Sequence, residues 1–346
     1  MKKFLFIPFL LLSHCILSQK KDTVSIIGVG DIMMGSNYPE VNGLPPHDGG
    51  DLMKEVESIL QSADLTIGNL EGVLMDSEGT AKTCRNPKVC YVFRSPERYV
   101  QNLVNAGFDA MSIANNHSGD FGEQGKQRTK KSLDAAGINY AGQDLKPFVI
   151  LEKNGTRFGF AAFAPNMGCA NINDIPAAKK IVAQLDSLCD IVIVSFHGGA
   201  EGSKCQHVPR ATEVFYGENR GDVYQFSHAL VDAGADVIFG HGPHVTRAVE
   251  VYKNKFIAYS LGNFCTYGGI NVDDVKGLSP IIKVYTDRKG VFQCAKVTST
   301  YQQFLCNVKI DVQQQVLKRI QLLTKEDFPQ TKINIDDQGW IKKITK

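Results

Sequence analysis

A chain of 346 residues, 43% of them hydrophobic, is long enough to bury one sizeable core and would also permit two domains. Lysine and arginine total 38 against 36 aspartates and glutamates. This balance excludes the strong global field that gathers nucleic acid by counterion release. No run of basic residues interleaved with aromatics is present, so we expect no nucleic-acid partner. An anionic partner must therefore be held by a local site.

The N-terminus has the pattern of a secretory signal. Lys2 and Lys3 are followed by an apolar stretch over residues 4–17, which is shorter than the roughly 20 residues that span a bilayer. We predict a signal peptide over residues 1–18, export to the periplasm or the extracellular space, and no stable membrane span after cleavage. The alternative is an uncleaved membrane anchor.

A short apolar, β-branched run that ends in Gly, Asn, Asp or His recurs along the chain, as is typical of buried strands. In chain order, these predicted strands cover residues 24–30, 65–68, 110–114, 191–196, 237–240 and 256–260. Helical patterns between them cover residues 50–61, 99–106 and 124–136. Beyond residue 279 we predict strands over residues 281–285 and 291–297 and a helix over residues 312–324.

This alternation of strands and helices predicts an α/β fold with an open sheet flanked by helices. In such folds polar side chains collect at the carboxyl ends of the strands. Because no linker divides the chain, we predict one domain over residues 19–325, followed by a C-terminal tail over residues 326–346.

Seven polar side chains follow five of the predicted strands and would meet in one crevice at the sheet edge. Each one alone is more often a turn former or a satisfied polar group than a ligand. The inference therefore depends on all seven sharing one structural position. They are Asp31, Glu71, Asn116, His117, His197, His241 and His244.

The chemistry of this set suits a divalent transition metal. Carboxylate, amide and imidazole donors together favour zinc, manganese or iron over calcium. Two ions would lower the pKa of a bridging water and neutralise charge on the attacked group, and His117 could protonate the leaving group. A site with one ion, or a vacant one, is the alternative, since no tight signature such as H-E-x-x-H occurs.

Arg220 stands in a polar segment over residues 217–222. It could bind an anionic substrate, because guanidinium groups pair with carboxylates, or it could lie in a polar turn at the surface. The sequence leaves both interpretations open.

Eight cysteines remain once the predicted signal with Cys15 is removed, an even set that fits an oxidising compartment. Cys84 and Cys90 flank a turn-prone stretch, so we predict a disulfide between them. The other pairings stay open. No C-x-x-C occurs, which leaves a zinc ribbon or a thioredoxin-type site without support.

Six motifs in order make most of the chain, from residue 24 to about residue 285, similar to the CapA family. That family is named for poly-gamma-glutamate capsule synthesis and is related to the calcineurin-like metallophosphatases. The motifs are GDIM at 30–33, GNLEG at 68–72, ANNHSGD at 114–120, FHGGAE at 196–201, GHGPHV at 240–245 and YSLGNF at 259–264.

The resemblance implies a four-layer α-β-β-α metallophosphatase-like sandwich, with two mixed sheets between helices and metals at the strand ends. The roles that it implies are Asp31 and His244 for one metal, Glu71 as the bridge, Asn116, His197 and His241 for a second metal, and His117 as the acid. Candidate substrate-binding residues in or near the motifs are Asn69, Glu201, Arg220 and Asn263.

The motifs depart from the metallophosphatase pattern at three points. The usual Asp-x-His after the first strand is replaced by Asp31 and Met33, so one metal loses an imidazole. The bridging carboxylate is Glu71 in a Gly-Asn-Leu-Glu sequence rather than an aspartate in Gly-Asp-x-x-Asp. The pair His241 and His244 is spaced one residue wider than Gly-His-x-His.

Taken with the resemblance, these residues lead us to expect an exported metal-dependent hydrolase or hydrolase-like factor. It would serve the synthesis, release or trimming of capsule, poly-gamma-glutamate or another cell-envelope polymer. The expected partners are an anionic envelope polymer or a small anionic substrate, together with capsule synthesis machinery. Two alternatives stay open: a non-catalytic capsule assembly or polymer-binding protein, and a general metallophosphoesterase.

Overall fold

The computed structural model of the protein describes residues 22–40, 43–84 and 90–344. The predicted signal peptide lies outside these residues. Within the described ranges, no helix combines the length and the apolar character needed to cross a membrane.

The fold is built from short helices and many strands. The α-helices are α1 (Glu57–Leu60), α2 (Val100–Ala106), α3 (Gly122–Ala135), α4 (Ile175–Leu188), α5 (Val223–Val231) and α6 (Gln315–Asp327). Short 3-10 helices cover Pro46–Gly49, Glu97–Tyr99 and Asp274–Gly277. The strands are β1 (Thr23–Met33), β2 (Leu65–Leu70), β3 (Val73–Leu74), β4 (Arg94–Ser95), β5 (Ala110–Ser112), β6 (Asn139–Ala141), β7 (Phe148–Lys153), β8 (Thr156–Phe163), β9 (Ile191–His197), β10 (Glu213–Phe215), β11 (Glu218–Gly221), β12 (Val237–His241), β13 (Val249–Tyr252), β14 (Lys255–Ala258), β15 (Asn263–Thr266), β16 (Leu278–Asp287), β17 (Phe292–Tyr301), β18 (Lys309–Ile310), β19 (Ile333–Ile335) and β20 (Trp340–Lys343).

The first sheet has the strand order β19-β20-β17-β16-β1-β2-β5-β6, with β15 pairing along the end of β1 and β18 pairing with β17. Strands β1, β2, β5 and β6 run parallel, whereas β16, β17 and β20 are antiparallel to their neighbours. The sheet is therefore mixed, and its parallel strands all end at the same edge.

The second sheet has the order β13-β14-β12-β9-β8-β7. Strands β14, β12, β9 and β8 run parallel, and β13 and β7 are antiparallel strands at the two edges. Two small ribbons, β3 with β4 and β10 with β11, lie outside the large sheets. The parallel strands of this sheet also end together.

The two sheets pack face to face, and helices cover their outer faces. Successive side chains of a strand point to opposite faces, so Ile26 packs between the sheets while Ile27 packs outward against α2 and α3. On the second sheet, Ile193 faces the first sheet and Val194 packs outward against α4 and α5. A Cβ at Gly28 would lie 2.6 Å from the ring of Phe239, so the sheets approach closely there. This layer order confirms the predicted α-β-β-α sandwich.

The predicted helix over residues 50–61 is reduced to α1 at its end. Before α1, amide groups bond to carbonyls three residues back, as from Lys54 to Asp51 and from Val56 to Met53, rather than four residues back. Gly49 precedes this stretch with a left-handed φ of 75°. Successive tight turns therefore replace the first two turns of the predicted helix.

The segment predicted as a C-terminal tail contributes to the first sheet. Helix α6 ends at Asp327, and β20 then pairs with β17 on one side and with the edge strand β19 on the other. Ile341 on β20 is fully buried in the core between the sheets. Residues up to 343 thus belong to the first sheet.

Candidate functional site

The carboxyl ends of the parallel strands bring the predicted polar residues together from both sheets. In the first sheet, the register of β1 and β2 pairs Asp31 with Asn69. In the second sheet, β12 and β9 pair His241 with His197. Because the sheets are stacked, residues far apart in sequence lie at one shared edge.

A compact group of ionisable side chains occupies this edge. Asp31, Glu71 and His197 are fully buried, and each offers one ligand atom within 4.8 Å of the others. His241 Nδ1 lies 3.3 Å from Asp31 Oδ1, and His244 Nδ1 lies 3.2 Å from Asp31 Oδ2. His244 Nε2 is 3.6 Å from Glu71 Oε1. Five of the predicted metal ligands thus lie within one cluster.

Several atoms of this cluster are buried and have no hydrogen-bond partner among the residues that the structure describes. Leaving a buried polar atom unpaired costs about 1–3 kcal/mol, and more for a charged group. A divalent cation between Asp31, Glu71 and His197 would pair with donor atoms of these three residues, and oxygen and nitrogen donors of this kind suit zinc, manganese or iron. The atoms of the cluster are both carboxylate oxygens of Glu71, Asp31 Oδ2, His197 Nε2 and His241 Nδ1, and Asn116 Oδ1 is likewise buried and without a hydrogen-bond partner among the described residues.

The electrostatics of the cluster reflect its excess of negative charge. Burial raises the pKa of Glu71 well above its ordinary value. Burial also disfavours charge on Asp31, but His241 and His244 overcome this effect and hold its pKa well below the usual range. For His244, burial is likewise overcome, and Glu71, Asp31 and Glu201 raise its pKa to about 10. A proton on His244 thus supplies positive charge that a bound cation would supply instead.

His244 is held in one orientation by Asn263. The amide of Asn263 donates to the carbonyls of His244, Asn271 and Lys276 at 3.0–3.4 Å, which leaves its Oδ1 as an acceptor 2.9 Å from His244 Nδ1. Nδ1 therefore carries the hydrogen, and Nε2 faces Glu71. Asn263, predicted to bind substrate, lies behind the cluster and orients one of its ligands.

Asn69, the second predicted substrate-binding asparagine, is also fully buried. Its amide donates to Asp31 Oδ1 at 2.9 Å, and its oxygen accepts from Asn115 at 3.1 Å. Oδ1 of Asn115 in turn accepts a hydrogen bond from the backbone N–H of His117 at 3.1 Å. These contacts connect the Asp31 carboxylate to the turn that carries Asn116 and His117.

His117 forms a buried pair with Asp120, a residue that the sequence analysis did not single out. His117 Nδ1 lies 2.8 Å from Asp120 Oδ2, so Nδ1 carries the hydrogen and Nε2 is the remaining ring nitrogen. Burial lowers the pKa of His117, and Asp120 opposes this effect. The spacing His-x-x-Asp within the ANNHSGD motif was the available signal for this partner.

Arg220 is 2% exposed, which excludes the solvated surface turn that the sequence left open. Its Nη1 donates to Glu201 Oε1 at 2.9 Å, and Glu201 Oε2 lies 3.8 Å from His244 Nε2. Its Nε and Nη2 have no hydrogen-bond partner within the described ranges. Arg220 and Glu201 therefore border the metal-ligand cluster.

The predicted disulfide between Cys84 and Cys90 is present. The other described cysteines are free thiols, although the even number of cysteines had left further pairs open. They are Cys169, Cys189, Cys205, Cys265, Cys294 and Cys306.

Comparisons with known proteins place the chain in a family. Residues 25–267 match the profile of the family described as bacterial capsule synthesis protein PGA_cap. The capsule biosynthesis protein CapA of Bacillus anthracis is 30% identical over 71% of this chain and 60% of its own length. The PGA biosynthesis protein CapA of Bacillus subtilis is 30% identical over 70% of this chain and 63% of its own length. The chain thus spans less than two thirds of either relative.

Among solved structures, a hypothetical protein from Thermus thermophilus aligns with a TM-score of 0.51 and 16% identity. The alignment covers 81% of this chain and 100% of that one. This similarity concerns the fold alone. On the extent of the profile match, and in agreement with the motifs at the strand ends, the chain belongs to the CapA (PGA_cap) family of bacterial capsule synthesis proteins.

Proposed function

We propose that this protein is an exported metal-dependent hydrolase, or hydrolase-like factor, that acts on an anionic polymer in the synthesis of capsule or another envelope layer. The observation that carries the proposal is the convergence of unpaired, buried donor atoms from Asp31, Glu71 and His197 at the edge of both sheets. A fold does not keep such atoms unpaired for stability, because each one weakens the packed state.

The donor set would hold one or two ions of manganese, zinc or iron. When bound, the metal would supply Lewis-acid stabilisation of the negative charge that builds up on the attacked group. We propose that Asp31 and His244 would hold one metal ion and that Glu71 would be a ligand of both. The proposed ligands of the second ion are Asn116, His197 and His241.

His117 is proposed as the general acid. Asp120 accepts the hydrogen of Nδ1, which fixes the tautomer and directs Nε2 as the nitrogen that exchanges a proton with the leaving group. Because Asp120 is fully buried, its negative charge also stabilises the protonated ring. The chemistry applies to a phosphodiester or to an amide, since both need a protonated leaving group.

The proposed location outside the cytoplasm is supported by two independent features. Residues 1–18 have the pattern of a signal peptide. The structure also contains the Cys84–Cys90 disulfide, and disulfides persist mainly in oxidising compartments.

Metal analysis of the purified mature chain tests the proposal first. We expect one or two equivalents of a divalent transition metal, lost in the Asp31→Asn variant without loss of the fold. A chain that contains no such metal and takes up none when supplied would overturn the proposal.

A substrate screen of the metal-loaded chain then separates the reaction classes. Release of glutamate fragments from poly-gamma-glutamate would establish amide hydrolysis. Turnover confined to a chromogenic phosphodiester would establish a general metallophosphoesterase.

The second candidate, a non-catalytic capsule assembly or polymer-binding protein, is favoured by the position of Met33. This residue stands where the metallophosphatase pattern has a histidine, and it is buried in an apolar cluster with Phe93 and Ile270. A non-catalytic role predicts that the His117→Ala variant supports capsule formation as well as the unchanged protein does. Loss of capsule with a folded, metal-containing His117→Ala protein would favour catalysis.

A further inference from the structure

The Cys84–Cys90 disulfide closes a loop over residues 84–90, and the segments on both sides of this loop contact the His117–Asp120 pair. Lys82 lies two residues before Cys84, and Phe93 lies three residues after Cys90. Residues 85–89 within the loop are outside the described residues. The loop thus brings two separate chain segments to one buried carboxylate.

Lys82 makes three contacts with the turn that carries His117. Its ammonium group lies 2.6 Å from Asp120 Oδ1 and 3.2 Å from the carbonyl oxygen of Asn116. Its backbone N–H donates to the carbonyl of Asp120 at 2.8 Å. A single residue therefore ties both the start and the end of the 116–120 turn.

Phe93 contacts the same pair from the other side. Its backbone N–H donates to Asp120 Oδ2 at 2.6 Å, the oxygen that also accepts from His117. Its ring centroid lies 4.3 Å from that of His117, with the planes tilted by 34°. The imidazole is thus packed against Phe93 while its Nδ1 is held by Asp120.

We propose that Lys82 and Phe93 are positioning residues for His117, and that the Cys84–Cys90 disulfide keeps them together as a clamp. The inference rests on the proposed function only in taking His117 as the acid. A disulfide lowers the number of conformations open to the loop between its cysteines. Without it, the segment that carries Lys82 would move independently of Phe93, which packs against Met33 and Ile270, and the long lysine side chain would lose more freedom on binding Asp120.

The clamp makes the geometry of the 116–120 turn depend on whether the compartment is oxidising or reducing. In a reducing cytoplasm the cysteines would be thiols, and the 116–120 turn would lack its covalently joined support. The acid would reach its working geometry only after the disulfide has formed. The clamp would therefore restrict activity to protein that has left the cytoplasm.

Amide hydrogen exchange of the full metal-free chain tests the clamp without reference to catalysis. We compare the untreated protein, protein treated with tris(2-carboxyethyl)phosphine, and the double variant Cys84→Ser with Cys90→Ser. The phosphine takes an oxygen atom from water, and the two hydrogens convert the cystine into two thiols. We expect about tenfold faster exchange over residues 115–120 in both disulfide-free forms, with unchanged exchange over β9 and β12.

The exposed thiol Cys306 provides the matched control. Cys306→Ser should exchange like the untreated protein, because this thiol is not part of the loop. Equal protection of residues 115–120 with and without the disulfide would overturn the proposal. This readout stays decisive even where the proposed hydrolase activity is absent.

Two lysine variants test the positioning role while the disulfide stays intact. With manganese and bis(p-nitrophenyl) phosphate, Lys82→Met should lower kcat about ten- to a hundredfold and leave KM and metal content unchanged. Lys82→Arg, which keeps the charge, should recover most of the rate. Equal kcat in both variants, or a change in KM alone, would contradict a positioning role.

Discussion

Two buried ionic clusters flank the loop between β9 and β10, and they differ in how their atoms are paired. Arg247 and Glu213 form a bidentate pair at 2.7 and 2.8 Å, and Arg247 Nε also donates to the carbonyl of Cys205 at 2.8 Å. Around Asp31 and Glu71, by contrast, carboxylate and imidazole atoms are left without hydrogen bonds among the residues that the structure describes. The first cluster is complete within the protein, whereas the second one has the donor atoms at which we propose that a cation binds.

This difference separates a structural use of buried charge from a functional one. The pair Arg247 and Glu213 also binds the backbone of Ala200, so it fixes the loop that carries Glu201. Removing one partner of such a pair leaves an uncompensated charge in the interior. Removing Glu71 from the other cluster takes away a buried carboxylate whose two oxygens accept no hydrogen bond among the described residues. Substitutions in the two clusters should therefore have opposite effects on stability.

The largest effect is expected for Glu213→Ala. It leaves the Arg247 guanidinium buried without a counter-charge, and we expect the free energy of unfolding to fall by about 3–5 kcal/mol. Urea denaturation measures the change. The double variant Arg247→Met with Glu213→Leu should restore most of the stability, and failure to restore it would show that packing rather than charge dominates.

For Glu71→Gln we expect the opposite result, a loss of metal affinity without a loss of stability. Metal affinity should fall at least a hundredfold, about 2.7 kcal/mol, because a charged ligand is lost. The unfolding free energy of the metal-free chain should stay equal or rise, because burial of an unpaired carboxylate is relieved. Titration calorimetry and urea denaturation measure the two quantities, and a large loss of stability would remove the contrast between the clusters.

The disulfide is expected to contribute less to the free energy of unfolding than the Arg247–Glu213 pair does. Its loop is short, so the double variant Cys84→Ser with Cys90→Ser should lower the free energy of unfolding by about 2 kcal/mol. Metal content should stay unchanged, because the cysteines do not contact Asp31, Glu71 or His197. Loss of metal in this variant would show that the disulfide also stabilises the cluster of Asp31, Glu71 and His197.

The smallest effect, counted for one pH unit, is a pH dependence of metal binding. In the metal-free protein the carboxylates, against the effect of burial, raise the pKa of His244 to about 10, so this ring is protonated at neutral pH. A metal requires the neutral imidazole, so binding must release its proton. The apparent Kd should fall about tenfold for each pH unit between about 6 and 8.

The raised pKa of Glu71 acts in the same direction, because this carboxyl must also be deprotonated to bind a metal. Calorimetry in buffers of different ionisation enthalpy counts the released protons. Binding that is independent of pH would place His244 outside the metal site.

The sequence by itself determined the alternation of strands and helices and the residues at the strand ends, whereas the four layers were expected only from the family resemblance. Asp31, His197 and His241 directly follow or end β-branched runs, and parallel strands of this kind end at a common edge. The Cys84–Cys90 disulfide was also predictable, because its cysteines are close in sequence. These features depend on local patterns that the chain shows over a few residues.

Only the tertiary structure decided how those residues are partnered. Lys82 meets Asp120, Asn263 orients His244, and Arg247 pairs with Glu213 across many residues of intervening chain. Such contacts leave no periodic signal, because they arise where separate loops converge on the packed sheets. The assignment of Asn69 and Asn263 to substrate binding remains a prediction, and in the structure both side chains use their amides to hold Asp31 and His244.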